Sequence, residues 1–75
     1  MRLGKYLTTL TKPELEEIRE LLNLTNDEEV IVNILAKGRS REEIALKLQM
    51  SVPTVDRRMC DIKNKLKKLG VKEWE

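Results

Sequence analysis

The segment from Arg57 to Lys68 contains side chains suited to hydrogen bonding with a nucleic acid. An outward-facing arginine such as Arg57 can donate two hydrogen bonds to guanine, and Asn64 can address adenine where it reaches the base. Lys67 and Lys68 suit phosphate, which requires charge more than directional bonds. These residues therefore offer recognition of bases and of the phosphate backbone. A solvated, lysine-rich helix end that favours the helix dipole is the alternative interpretation.

Charge is distributed unevenly along the chain. The 75 residues have a net charge of only +2. Residues 1 to 33 contain four Lys or Arg and seven Asp or Glu, whereas residues 34 to 75 contain eleven and six. Between Arg57 and Lys72 there are seven basic residues and a single acid, Asp61. A concentrated basic segment is typical of anion binding, so we expect the C-terminal half to be the part of the chain that binds an anionic partner.

Helix signals divide the chain into four predicted helices. Three times a Ser or Thr precedes a Glu by three residues, which is the pattern of a capping box at a helix start. The first predicted helix begins after Thr11, the second lies between Thr25 and Gly38, the third spans residues 41–48 and the fourth spans about residues 52–69. The three pairs are Thr11 and Glu14, Thr25 and Glu28, and Ser40 and Glu43.

The fourth predicted helix has an apolar side and a polar side. At about 100° per residue, Asn64 falls opposite the apolar stripe and Arg57 lies close to Asn64. Only residues 49–51 separate this helix from the third, a connection typical of a helix-turn-helix. Ala45 is expected where these two helices cross most closely. The apolar stripe consists of Val55, Met59, Ile62, Leu66 and Leu69.

Composition predicts a small all-α domain without catalytic chemistry. Hydrophobic residues make up 40% of the chain and aromatic residues only 3%, so we expect an aliphatic, helical core.

The chain has no histidine and Cys60 is its single cysteine, which excludes a Cys/His metal site and an internal disulfide. With no phosphate-binding glycine loop and no carboxylate pair in a sizeable interior, we expect neither an enzyme nor a cofactor. The lack of a long apolar run predicts no membrane span, and a reducing, cytoplasmic setting is expected.

Residues 24–66 resemble the DNA-binding helix-turn-helix domain of the LuxR/GerE type. The match runs in register without gaps and implies a three-helix core, here with an extra N-terminal helix and a long C-terminal recognition helix. It divides the chain into an N-terminal segment and helix at 1–23, the LuxR/GerE-like domain at 24–70 and a tail at 71–75. The matching residues are Leu24, Thr25, Glu29, Val30, Leu35, Ala36, Gly38, Ser40, Glu43, Ile44, Ala45, Leu48, Ser51, Thr54, Val55, Ile62, Lys65 and Leu66.

The resemblance also implies a function. Family members are transcription regulators that usually bind DNA as dimers, so it implies a bacterial or phage regulator that binds double-stranded DNA as a homodimer, with residues 52–69 in the major groove. The chain departs from the family at Asp56, where Lys or Arg is usual, at Arg58, where His is usual, and at Asp61, where Asn is usual. Positions that touch bases or backbone in the family are Thr54, Asp56, Arg57, Arg58 and Cys60 here, and Asn64, Lys67 and Lys68 complete the predicted DNA-binding set.

Alternatives remain open for Asp56 and for the whole domain. Asp56 can accept a hydrogen bond from the cytosine amino group or repel phosphate, or it can stabilise the first turn of its helix through the helix dipole.

The chain is also similar to region 4 of the sigma-70 family, which touches both promoter DNA and polymerase. The alternative function is therefore a sigma-70 region 4-like adaptor that binds RNA polymerase or a sigma factor. The acidic first predicted helix either covers the core or supplies a dimer contact.

Overall fold

The computed structural model describes residues 3–70, and α-helices are the only regular secondary structure in that range. The predicted all-α class is therefore confirmed. No helix within this range is both long enough and apolar enough to cross a membrane. The predicted tail at 71–75 lies outside the described residues. The helices are α1 (Leu3–Thr8), α2 (Lys12–Leu22), α3 (Asn26–Ala36), α4 (Arg41–Leu48) and α5 (Val52–Lys68).

The core is aliphatic, as the composition predicts, with a single tyrosine among its members. Each of the five helices contributes at least one buried apolar side chain, so the helices enclose one shared cluster. Helices α1, α3 and α5 contribute three each. The buried apolar residues are Leu3, Tyr6, Leu7, Leu22, Ile31, Val32, Leu35, Ile44, Val55, Ile62 and Leu66.

Helix α1 is not predicted by the sequence patterns, because it spans only six residues and no Ser or Thr precedes it. It nevertheless packs against α3 more extensively than any other pair of helices described. Leu3 and Leu7 are each only 1% exposed. Gly4 also faces α3, since a Cβ atom there would lie 3.4 Å from Leu35 Cδ2, about van der Waals contact. Burying each leucine contributes about 1.5 to 3 kcal/mol, which explains how so short a helix is held.

Helix α2 lies at the periphery of the core. The sequence pattern places Leu15, Ile18 and Leu22 on one stripe, but only Leu22 is buried and the other two are partly buried. The main helix contact of α2 is with α5. Much of the covering role expected of the first predicted helix therefore falls to α1.

Two of the three predicted capping boxes are complete. The Thr11 side chain accepts from the Glu14 N–H at 3.3 Å, and the Glu14 carboxylate accepts from the Thr11 N–H at 2.8 Å. Thr25 and Glu28 make the same pair of bonds, at 3.3 and 3.0 Å. The hydrogen bond from the Thr11 backbone lowers the pKa of Glu14. These bonds satisfy backbone N–H groups that a helix start leaves unpaired.

The third predicted box is only half formed. Ser40 accepts from the Glu43 N–H at 3.4 Å, as predicted. The Glu43 carboxylate does not return to the Ser40 backbone but accepts from Arg39 Nη1 at 3.0 Å. A charge-assisted bond to a guanidinium competes well with a neutral N–H donor, which explains the difference.

A three-residue turn joins α4 to α5. Gln49 adopts a left-handed conformation, with φ of 55°, and its N–H donates to the Ala45 carbonyl. The Met50 N–H donates to the same carbonyl at 3.0 Å. Ser51 then caps α5 by accepting from the Thr54 N–H at 3.3 Å. The predicted helix start after Ser51 is confirmed, and α5 packs against α4 directly after the turn.

The apolar stripe of α5 is buried along most of its length but not at its end. Val55, Ile62 and Leu66 are fully buried and Met59 is partly buried. Leu69, which the spacing places on the same stripe, is 45% exposed, so this part of the prediction is wrong. Helix α5 ends at Lys68, and the position of Leu69 after its last turn explains the exposure.

Candidate functional site

The outward face of α5 carries most of the predicted binding residues. Arg57, Asn64, Lys67 and Lys68 are all exposed, on the side away from the buried stripe. Within residues 3–70, no ion pair involves Arg57 or either of these lysines. Their charges are therefore available to a partner that approaches from solvent.

Thr54 and Cys60 occupy different environments. Thr54 is partly buried, and its hydroxyl oxygen lies 2.9 Å from Ser51 Oγ. Because Ser51 Oγ also accepts from the Thr54 N–H, Thr54 belongs to the start of the helix. Cys60 is exposed with a free thiol, and it lies on the outward face of α5. Cys60 is thus the more exposed of the two, and the roles of both in DNA contact remain predictions.

Asp56 lies at one edge of the outward face, where it binds α4. Its Oδ1 atom accepts a hydrogen bond from Arg41 Nη1 at 3.1 Å. Arg41 is 52% exposed and Asp56 46%, and an ion pair this exposed contributes about 0 to 1 kcal/mol to stability. Asp56 is the fifth residue of α5, so the prediction that it lies in the first turn is wrong, and the first turn contains no acid. The pair instead joins the N-terminal ends of α4 and α5.

Arg58 lies on the opposite edge of α5, about 160° around the helix from Asp56 at about 100° per residue. There a shallow groove separates α5 from the start of α3. Thr25 and Glu28 form its α3 side. The predicted site residues thus divide into an outward row and two edges of different character. On the α5 side the groove is lined by Arg58, Asp61, Asn64, Lys65 and Lys68.

Glu28 and Lys65 form an ion pair beneath this groove. Glu28 Oε1 accepts a hydrogen bond from Lys65 Nζ at 2.6 Å and another from the Thr25 N–H at 3.0 Å. Glu28 is only 4% exposed. A single carboxylate oxygen therefore connects the cap of α3 to the C-terminal half of α5. The Lys65 charge is therefore neutralised by Glu28 within the protein, whereas Lys67 and Lys68 form no ion pair within residues 3–70.

The pKa of Glu28 reflects competing effects. Burial raises the pKa, because a carboxylate loses hydration. The hydrogen bond from Lys65 and the bonds to Thr25 outweigh burial, so the pKa lies below the ordinary value of 4.5. Glu28 is therefore ionised at neutral pH, and its buried charge depends on Lys65 for compensation.

The two ion pairs were not predicted from the sequence, although one of them left a signal. Glu28 precedes Ile31, Val32 and Leu35 by three, four and seven residues, which is the spacing of one buried helical stripe. An acid on such a stripe requires a hydrogen-bonded cation from elsewhere in the chain. The role of Arg41 left no such signal, because its approach to α5 depends on the turn at residues 49–51.

Comparisons with known proteins leave the family of the chain open: no protein-family model matches it, and neither a curated protein nor a solved structure matches it at a significant level. The LuxR/GerE resemblance therefore rests on the residues quoted above. The function must be inferred from the face of α5 and the elements that position it.

Proposed function

We propose that this protein is a cytoplasmic transcription regulator that binds double-stranded DNA through a helix-turn-helix formed by α4 and α5. The observation that carries this proposal is the set of exposed cations on the outward face of α5. Among the described residues, Arg57, Lys67 and Lys68 form no ion pair, so their charges can be neutralised by DNA phosphates or used on base edges.

In this proposal α5 lies in the major groove. Its 17 residues make a helix about 25 Å long, and the groove, about 12 Å wide, admits a helix. Arg57 lies in the N-terminal half of α5, the part that reads base edges in such motifs, and it suits guanine. Lys67 and Lys68 lie about three turns further along and suit phosphates at the side of the groove.

The connection between α4 and α5 supports the helix-turn-helix assignment. The turn is three residues long, and two N–H groups close it onto the Ala45 carbonyl. Ala45 itself is partly buried against the core, as expected for a small residue near a helix crossing. A short, hydrogen-bonded turn gives α5 a defined orientation relative to α4, which insertion into a groove requires.

A second candidate function is an adaptor that binds RNA polymerase or a sigma factor. It is favoured by two leucines at the surface, since Leu46 on α4 is 81% exposed and Leu21 on α2 is 59% exposed. Helix α2 also contains four glutamates, which repel DNA. Exposed leucines suit contact with a protein better than contact with a phosphate backbone.

Selection of bound duplexes from a random DNA pool, combined with a salt titration, separates the two candidates. DNA binding through the α5 face predicts an enriched motif and a log–log salt slope of about −0.9 for each phosphate contact. A homodimer predicts a two-fold symmetric motif with half-sites about 34 to 36 Å apart. A pool without enrichment, together with weak binding at low salt, rejects DNA reading and favours the adaptor.

A further inference from the structure

We propose, resting on the DNA docking above, that the Arg41–Asp56 pair determines specificity by withholding a cation from nonspecific phosphate contacts. The carboxylate of Asp56 binds the guanidinium of Arg41 at 3.1 Å. Glu42 Oε1 lies farther from the same guanidinium, 3.9 Å from Arg41 Nε, and no hydrogen bond joins them, so Asp56 is the closer partner. Both side chains are about half exposed, so the pair lies at the surface and not within the core. Because such a pair adds little to stability, its larger effect is on the charge that α5 presents.

The location of the pair places it at the side of the proposed DNA contact. Arg41 is the first residue of α4, and Asp56 lies next to Arg57 in the N-terminal half of α5. Asp56 directly precedes Arg57, so its side chain lies about 100° around the helix from that of Arg57. A phosphate that approaches this edge meets a carboxylate and a guanidinium that already neutralise each other.

Nonspecific and specific complexes respond differently to this arrangement. Phosphate contacts supply nearly all of the affinity of a nonspecific complex, so each free cation near the backbone strengthens it. A specific complex also depends on base contacts, here those of Arg57, which the pair leaves unchanged. By occupying Arg41 and by repelling phosphate itself, Asp56 lowers the nonspecific affinity more than the specific affinity. The ratio between the two affinities is therefore higher than in a chain without this carboxylate.

The test measures the affinity of the full chain for a mixed-sequence duplex and for its selected site, over a range of salt concentrations. The variants are Asp56→Asn, Arg41→Gln and the double variant. Asp61→Asn is the matched control, because Asp61 is also an exposed acid of α5 but forms no ion pair within the described residues. Asp61→Asn is also combined with Arg41→Gln. Circular dichroism melts of each variant establish that the fold is retained.

We expect Asp56→Asn to raise the affinity for the mixed-sequence duplex about three- to tenfold, with a salt slope steeper by about 1. The affinity for the selected site is expected to rise less. Adding Arg41→Gln should abolish most of the gain in the Asp56→Asn background, where Arg41 can contact phosphate. In the native and Asp61→Asn backgrounds it should lower the affinity less, because Arg41 is paired with Asp56 before the substitution and the loss comes only from the carboxylate that is left unpaired.

If Arg41→Gln lowers the affinity for the mixed-sequence duplex equally in all three backgrounds, the proposal is overturned. The affinity gained by Asp56→Asn would then follow from net charge alone. An equal rise for the selected site and for the mixed duplex overturns the specificity role. If the native chain binds neither duplex, the proposed function itself fails. If instead the native chain reads its site and Asp56→Asn leaves both affinities unchanged, only the role of the Arg41–Asp56 pair is overturned.

Discussion

Lys65 Nζ lies 2.6 Å from Glu28 Oε1, so the C-terminal half of α5 is tied to the cap of α3. At the other end of α5, Asp56 binds Arg41 of α4 at 3.1 Å. The two ion pairs lie on different edges of the helix and differ in burial. The pair at Glu28 is buried on the carboxylate side, and it is the one expected to affect stability.

Replacing Lys65 with Met should destabilise the fold. The substitution keeps most of the packing but leaves the Glu28 carboxylate buried without its cation, which costs about 2 kcal/mol. The matched control is Lys67→Met, at an exposed position of the same helix, which should change the free energy of unfolding by less than about 0.5 kcal/mol. Urea denaturation measures both. Equal losses in the two variants would show that Lys65 has no special role.

Stability should fall in acid partly through Glu28. Its pKa is lower in the folded chain than the ordinary value of 4.5, so ionised Glu28 stabilises the fold above that pH. The contribution is lost as the pH falls below 4.5 and through the folded-state pKa. Thermal unfolding followed from pH 7 to pH 3 should show a smaller acid-induced loss in Glu28→Gln than in the native chain. An identical pH profile in this variant would contradict the assignment.

Helix α1 should contribute to stability despite its length. Leu7 is 1% exposed, and Leu7→Ala should cost about 2 to 5 kcal/mol, because the cavity adds to the lost burial. Leu21→Ala makes the same chemical change at a position that is 59% exposed, and we expect an effect within about 0.5 kcal/mol. The midpoint of chemical denaturation compares the two. A neutral Leu7→Ala would mean that α1 does not pack as described.

The proposed docking assigns different roles to Arg57 and Lys67. Arg57→Ala should reduce the preference between selected and unrelated duplexes, because it removes a base contact worth about 1 to 3 kcal/mol. Lys67→Ala should weaken binding to all duplexes alike and flatten the log–log salt slope by about 1. Fluorescence anisotropy at several salt concentrations distinguishes these patterns. Unchanged affinity in both variants would rule out α5 as the contacting helix.

The boundaries of α2 to α5 could be predicted closely because their signals are local. Thr11, Thr25, Ser40 and Ser51 each accept from a backbone N–H three residues later, a bond that needs no tertiary partner. Gly38 has a φ of +79°, in line with its predicted place at a helix end. Where a local signal failed, a competitor was present, as for the carboxylate of Glu43.

The candidate site was only partly predictable. Helical spacing alone places Arg57, Asn64 and Lys67 on the exposed side of α5, and the structure agrees. The same spacing does not show that Lys65 forms an ion pair with Glu28, which lies 37 positions earlier in the chain. It also cannot show that Asp56 is bound across the turn to Arg41.

The sequence by itself determined the all-α class, four of the helices and the basic outward face of α5, since caps and periodicity act within a few residues along the chain. Only the tertiary structure decided that α1 covers the core, that Lys65 is the cation paired with Glu28 and that each edge of α5 has its own ion pair. Those features depend on which surfaces meet when the helices pack. Packing brings together groups such as Glu28 and Lys65, whose separation along the chain gives no local sign of contact.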